Sequence, residues 1–248
     1  MSFVVDHLIK IKEEKGAGYL VLIDPDKQDL SQSTDFAARA DKAGVDAFLV
    51  GSSFMMSDQL DEVVKTIRGI SKLPTIIFPG ASSHISPYAD AILFLSLISG
   101  RNPEFLIGEH IKAAPVIKRH GIEAIPTGYM LIDGGCCTSV QFISATMPIP
   151  RDKVDIAIAH AVAAELLGMK MVYLECGSGA KRSVPDEMIR AVKSHIEIPL
   201  IVGGGIRKPE EAAAKVKAGA DFIVTGNILE KESELKLIQE FSEAVHNT

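Results

Sequence analysis

The chain has few cysteines, no long apolar run and no concentration of positive charge, and each shortage closes a class of function. Three cysteines in 248 residues, two of them adjacent at Cys136 and Cys137, cannot build a disulfide framework, and no CxxC spacing occurs. The sequence therefore reads as that of a reduced, cytoplasmic protein. The longest nearly apolar run, Ala91 to Ile98, is about eight residues, against the roughly 20 that span a bilayer, so no membrane span is expected. The net charge is -6, from 26 Lys and Arg against 32 Asp and Glu. With no basic cluster to neutralise a phosphate backbone, nucleic acid is not an expected partner. The seven histidines form no HxH or HExxH pair, and the glycine-rich runs match neither GxGxxG nor GxxxxGK[ST]. Asp6 and His7 interrupt the apolar N-terminal stretch, which favours an amphipathic first helix over a signal peptide.

What is present is ordinary globular composition, 47% hydrophobic and 23% charged, arranged with a clear rhythm. Short apolar runs recur at Tyr19 to Ile23, Ala47 to Val50, Thr75 to Phe78, Ala91 to Leu95, Ala124 to Pro126, Met171 to Leu174, Leu200 to Val202 and Phe222 to Val224. They are continuous rather than alternating, the pattern of parallel strands covered on both faces. Segments of helical period lie between most of them, one of them with Ser57 placed as its N-cap. Pro103 and Pro209 mark first helical turns, and Gly44, Gly121, Gly168 and Gly219 mark helix ends. The segment Ala43-Gly44-Val45-Asp46 has a counterpart in Ala218-Gly219-Ala220-Asp221, which reads as a common helix-stop-strand module.

Two regions break the pattern. Residues 79–88 are rich in turn formers and carry no helical face, so a covering helix is expected to be missing there. Thr127 to Arg151 reads as a long excursion, of the kind used as a lid or an oligomer contact. Eight strand-helix units with no linker predict one α/β domain over residues 1–248, a modified (β/α)8 TIM barrel lacking a regular third helix; in that fold, chemistry sits at the C-terminal ends of the strands.

Those ends are informative. The first strand runs into Asp24-Pro25-Asp26-Lys27, where an inward carboxylate could hold Mg2+ through a hard oxygen. The second ends in Gly51-Ser52-Ser53, small residues with hydroxyls to spare. The sixth ends in Tyr173-Leu174-Glu175-Cys176-Gly177-Ser178-Gly179, with Glu175 placed so that burial would raise its pKa toward that of a general base. The seventh and eighth run into Gly203-Gly204-Gly205 and Gly226-Asn227, the glycine cradle that presents backbone amides to a phosphate.

Taken in order, LIDPDK (22–27), VGSS (50–53), FPG (78–80), TGYMLIDGG (127–135), PIPRDKVDIAIAHAVAAELLGMK (148–170), YLECGSGA (173–180), VGGGIR (202–207) and TGN (225–227) closely resemble the geranylgeranylglyceryl phosphate synthase family, over essentially the whole chain. The likeness is to the second of its two groups, found in archaea and some bacteria. The resemblance implies a Mg2+-dependent prenyltransferase that joins the C3 hydroxyl of sn-glycerol 1-phosphate to geranylgeranyl diphosphate, the first ether bond of archaeal-type lipids. It implies Asp24 and Ser53 as metal ligands. It places Tyr173, Leu174, Glu175, Cys176, Gly177, Ser178, Gly179, Gly204, Gly205, Gly226 and Asn227 at the glycerol phosphate, with Glu175 and Tyr173 catalytic. Ala113 and Ala114 are candidate walls of the prenyl groove. A homo-oligomer, dimer or hexamer, is implied, with at most a transient membrane contact.

Two other readings stay open on the residues alone. A sugar-phosphate isomerase or aldolase would use the same cradle, with Lys27 the nearest candidate for a Schiff base. A non-catalytic phosphate- or lipid-binding barrel would need no base at Glu175.

Overall fold

In the computed structural model, residues 3–27, 29–226 and 234–248 are described. The chain opens with α1 (Phe3–Lys15), then β1 (Gly18–Ile23), α2 (Leu30–Lys42), β2 (Ala47–Val50), α3 (Leu60–Ile70), β3 (Thr75–Ile77) and β4 (Ala91–Leu97). A π-helical turn (Glu104–Gly108) leads into α4 (Glu109–His120), followed by β5 (Glu123–Leu131), α5 (Ser139–Ser144), α6 (Val154–Leu166) and β6 (Met171–Glu175). The rest is α7 (Asp186–Lys193), β7 (Leu200–Gly203), α8 (Pro209–Lys217), β8 (Phe222–Thr225) and α9 (Glu234–His246). The eight strands pair in parallel and in sequence order, β8 returning to β1, so the sheet is a closed TIM barrel as expected.

The two-residue period of a strand divides the core into two layers. Leu20, Leu49, Ile76, Leu93, Ile125, Met171, Tyr173, Ile201 and Phe222 fill the barrel. The residues between them, such as Val21, Val50, Ile77, Val172, Leu174 and Val202, pack under the surrounding helices. The parity continues past the strand ends: Asp24 follows Leu20 and Leu22 inward, and Glu175 follows Met171 and Tyr173. The N-terminal end of the barrel is stoppered by α1, whose Val4, Val5, Leu8 and Ile11 join the interior layer. The backbone amides of Val4 and Val5 donate to Glu123 at 2.6 and 3.2 Å.

The twin modules explain themselves at this end. Asp46 accepts from the Tyr19 amide at 2.7 Å and pairs with Lys15, while Asp221 accepts from the Leu200 amide at 2.7 Å and pairs with Lys12 and Lys193. Both carboxylates satisfy an amide at the start of a neighbouring strand, the second of β1 and the first of β7, which is structural work at the face away from the chemistry. Gly44, Gly121, Gly168 and Gly219 all take positive φ after a helix, as read from the sequence.

The segment between β3 and β4 contains no helix. The Ser82 amide is anchored by the Glu109 carboxylate, and the Gly80 amide donates to Nδ1 of His84 at 3.1 Å. Three expectations need correction. Ser57 caps nothing: its amide and that of Met56 donate to Asp26 at 2.9 and 2.7 Å, and α3 begins only at Leu60. Strand β5 runs to Leu131 rather than Pro126, because Thr127 and Gly128 interrupt the apolar pattern without interrupting the ladder. Gly128 is bare because Ala164 of α6 packs against it; a Cβ there would lie 2.6 Å from the Ala164 methyl. The excursion is thus shorter than read, and it carries α5.

Candidate active site

The C-terminal mouth of the barrel is a polar cleft lined by Asp24, Ser53, Tyr173, Glu175, Gly177, Ser178, Gly179, Gly204, Gly205 and Gly226, with Lys27, Ser52, Arg207 and Thr225. Most residues singled out from the sequence therefore meet in one place. Leu174 and Cys176 do not: strand parity turns both outward into the layer under the helices. Asn227 lies outside the described residues.

Glu175 is 5% exposed. Burial raises its pKa to about 7, although the Gly177 amide donates to Oε1 and the neighbouring Tyr173 hydroxyl pulls the other way. The carboxylate fits because β7 ends in glycines. A Cβ at Gly203 would meet Glu175 Oε2 at 2.8 Å and the Tyr173 hydroxyl at 2.4 Å. Gly204, at φ +78°, would meet Glu175 Oε1 at 2.2 Å and the Gly177 amide nitrogen at 2.6 Å. The glycine turn after β7 and the buried carboxylate are therefore one construction.

Tyr173 is fully buried, and burial together with Glu175 holds its pKa well above that of a free phenol. Its ring stacks on Phe78 at 5.7 Å and meets the edge of Tyr129 at 5.3 Å. Its hydroxyl finds no well-aligned hydrogen bond among the described residues. Tyr129 was missed by sequence reading, for it stands on the stretch of β5 taken as loop; the apolar run Tyr129 to Ile132 was the available signal.

Across the mouth, Asp24 accepts from the Asp26 amide at 3.1 Å and from the Ser52 hydroxyl at 3.3 Å, with Lys27 Nζ at 3.4 Å. Asp26 instead ties the β1 loop to the β2 loop through Met56 and Ser57. Ser53 lines the cleft, but the hydroxyl bonded to Asp24 is that of Ser52. Among the described residues no three His, Cys, Asp or Glu gather as a metal cage. One carboxylate beside two serines still suits Mg2+, which commonly takes one or two protein carboxylates and completes its shell with water and substrate phosphate.

A second, apolar groove opens where the third helix is missing. It is lined by Phe94, Leu95, Phe105, His110, Ala113 and Ile117 among others, and it shares Ser52, Ser53, Phe78, Tyr129 and Val140 with the polar cleft. Ala113 is part of this wall, whereas Ala114 faces solvent. The aromatic trio of Phe78, Tyr129 and Tyr173 thus stands at the junction of a polar and an apolar cavity.

Comparison with known proteins agrees with this geometry. The PcrB family model matches residues 9–245. The chain belongs to the PcrB family. It is 50% identical to geranylgeranylglyceryl phosphate synthase of Chitinophaga pinensis, over 92% of this chain and 90% of that protein. It is 46% identical to the synthase of Thermococcus kodakarensis, over 95% of this chain and 93% of that one. Its structure superposes, with a TM-score of 0.95 and 37% identity over 100% of both chains, on the crystal structure of (S)-3-O-geranylgeranylglyceryl phosphate synthase from Thermoplasma acidophilum in complex with substrate sn-glycerol-1-phosphate. A thiamine phosphate pyrophosphorylase from Pyrococcus furiosus, 15% identical with a TM-score of 0.60 over 95% of this chain and 98% of that one, shares the fold alone.

Proposed function

We propose that this PcrB family member is a prenyltransferase that joins the C3 hydroxyl of sn-glycerol 1-phosphate to geranylgeranyl diphosphate, releasing pyrophosphate. The observation that carries the reading is the junction just described: a phosphate cradle and a buried base open, past Phe78 and Tyr129, into an apolar groove. A sugar-phosphate enzyme needs the first cavity but has no use for the second.

The residues divide the work. Amides around Gly177 to Gly179, Gly204, Gly205 and Gly226 hold the glycerol phosphate, and the Tyr173 hydroxyl donates to a glycerol oxygen. The Tyr173 ring face is already covered by Phe78, so its hydroxyl rather than its π-face is its contribution. Glu175 Oε2 accepts the proton of the attacking hydroxyl, and a pKa near 7 suits a base that must be ionised yet still basic at neutral pH. The groove excludes water from the allylic carbon, which protects a developing cation from hydrolysis. Asp24 and Ser53, with Ser52 beside them, would hold Mg2+. When bound there, the ion supplies positive charge against the departing diphosphate. The chain works as one domain, in the cytoplasm, as a homo-oligomer; the exposed Ile156, Leu166 and Leu167 of and beside α6 support an interface between copies.

The deciding experiment is transfer of label. Purified protein, radiolabelled sn-glycerol 1-phosphate, Mg2+ and prenyl diphosphates from C10 to C35 are incubated and extracted into organic solvent. Label in the organic phase, dependent on Mg2+, is the expected result. No transfer with any chain length would overturn the reading.

A further inference from the structure

The loop after β1 carries a cation to which the proposed function gives no task. Among the described residues lining the polar cleft, three are acidic, Asp24, Asp26 and Glu175, and two are cationic, Lys27 and Arg207. Asp26 is engaged by the Met56 and Ser57 amides, and Glu175 lies against the glycines after β7. Arg207 follows the same glycines, its guanidinium held by the Ala180 carbonyl at 2.8 Å. Lys27 stands on the β1 side, with Nζ 3.4 Å from Asp24 Oδ2 and 35% of its side chain exposed.

Support of Asp24 does not account for this lysine. Asp24 already accepts from the Asp26 amide and the Ser52 hydroxyl, and an ion pair of this length at a partly exposed site adds little to stability. It is Asp26 that ties the β1 loop to the β2 loop. A Schiff-base nucleophile is desolvated or set against another cation, whereas Lys27 faces a carboxylate. Its fitness is as a charge for an anion, the use of lysine as a point charge on a flexible stem.

The order of the strands selects the anion. Around the rim of the closed barrel the glycines of the proposed cradle follow β6, β7 and β8, while the apolar groove meets the cleft at Ser52, Ser53 and Phe78, after β2 and β3. The β1 loop lies between them. A prenyl diphosphate with its tail in the groove and its first carbon toward the cradle has its diphosphate at that part of the rim. A single Mg2+ ion on Asp24 leaves part of the charge of a diphosphate uncompensated.

We infer that Lys27 binds the diphosphate of the prenyl substrate, and that its pair with Asp24 is the arrangement of the unliganded mouth. The inference deepens the proposed function and rests on it. Lys27 exchanges a carboxylate oxygen for a phosphoryl oxygen, so its charge is matched in both arrangements.

The test is calorimetric titration of the full-length protein with inorganic pyrophosphate, in the presence of Mg2+ and without prenyl substrate, for wild type, Lys27→Met and Lys27→Arg. Lys27→Met should bind pyrophosphate about thirtyfold more weakly, the effect of one lost charge-assisted contact. Lys27→Arg restores the charge and should recover the affinity to within about threefold of wild type. Affinity for sn-glycerol 1-phosphate should stay within about threefold in both variants, because the cradle is untouched. In the ligand-free protein Lys27→Met should bind Mg2+ at least as tightly as wild type, since a cation beside the carboxylate has been removed.

Equal pyrophosphate affinity in wild type and Lys27→Met would overturn the inference. So would a matching loss of sn-glycerol 1-phosphate affinity, which would assign Lys27 to the cradle, or weaker Mg2+ binding by Lys27→Met, which would make Lys27 a support for Asp24. The transfer of label tests the reaction separately. If label is transferred and Lys27→Met keeps its KM for the prenyl diphosphate, this inference alone falls; if pyrophosphate binds through Lys27 and no label is transferred, the contact stands and the proposed reaction falls.

Discussion

Glu175 Oε1 occupies the place that a side chain at residue 204 would need, 2.2 Å from the position of a Cβ there. The proposed base and the proposed phosphate cradle are consequently interdependent: the carboxylate is buried because β7 ends without side chains, and burial is what raises its pKa to about 7.

Gly204→Ala should therefore be far more damaging than another glycine substitution at a similar backbone angle. At Gly204 the methyl collides with a buried carboxylate and with the Gly177 backbone, whereas at Gly168, φ +80°, nothing lies within 4 Å. Gly168→Ala should cost about 1 kcal/mol, the penalty of a left-handed alanine, and leave turnover intact. Gly204→Ala should cost several times that, or displace Glu175 and reduce kcat/KM by at least about a hundredfold, a loss of roughly 2.7 kcal/mol in transition-state stabilisation. Thermal denaturation and steady-state kinetics on the pair check the contrast, and equal effects would mean that the cradle has room to yield.

Glu175→Gln should abolish turnover, keep glycerol phosphate binding, and stabilise the fold at neutral pH. The folded pKa of about 7 lies above the ordinary 4.5, so between those values the folded protein binds the proton that the unfolded chain has released. Stability contributed by this group accordingly falls as pH rises from about 4.5 to 7, by roughly 3 kcal/mol. The amide removes that loss, so the wild-type and variant melting curves should approach one another near pH 5 and separate above pH 7, the variant being the more stable. In the wild-type enzyme, kcat should rise with pH along a limb centred near 7. A limb near pH 4.5, or one that survives in Glu175→Gln, would assign the proton transfer elsewhere.

The parts of this site that a reader of the sequence can find are those governed by strand parity. Asp24 and Glu175 extend the inward series of β1 and β6, and the glycines after β7 and β8 follow strands whose apolar runs are unbroken, so each could be placed at the barrel mouth from its spacing. Parity also turns Leu174 and Cys176 away, a step that listing a motif as one block overlooks. Less legible is what depends on contacts between distant segments. The choice of Ser52 over Ser53 beside Asp24, the use of Asp26 to hold Met56 and Ser57, and the length of β5 are all set by neighbours more than 25 residues away in the chain. Thr127 and Gly128 look like the start of a loop because Gly128 is selected by the approach of Ala164, a fact of packing with no local signal.

Asp24→Asn should separate metal-assisted departure of diphosphate from binding of the glycerol substrate. The amide keeps the hydrogen bonds to Ser52 and to the Asp26 amide within reach but loses the charge that a Mg2+ ion requires. Turnover should fall by about a hundredfold or more, with the Mg2+ concentration for half-maximal rate moved upward, while the affinity for sn-glycerol 1-phosphate, measured by calorimetry without prenyl substrate, stays within about threefold. An unchanged Mg2+ dependence would place the ion on other ligands.

Ala113→Phe should shorten the prenyl chain that the enzyme accepts. Ala113 is 7% exposed and stands in the groove wall with Phe94, Phe105 and Ile117, so a benzyl group at this position has no direction open except the groove. The polar cleft is not involved, and kcat/KM with a C10 diphosphate should stay within about threefold of wild type. For C20 the added ring displaces several methylenes, each worth about 0.8 kcal/mol of burial, so three or four lost contacts correspond to a fall in kcat/KM of about a hundredfold. Because the clash is with the tail and not with the reacting carbon, the loss should fall mainly on KM. A uniform loss over all chain lengths would indicate instead that α4 has shifted. The Glu109 carboxylate, held to a pKa of about 2 by Lys112 and the Ser82 amide against the opposing effect of burial, fixes that helix to the segment replacing the third helix. Glu109→Ala, which frees this tie without filling the groove, should raise KM for the prenyl diphosphates more than for sn-glycerol 1-phosphate and without the chain-length discrimination expected of Ala113→Phe.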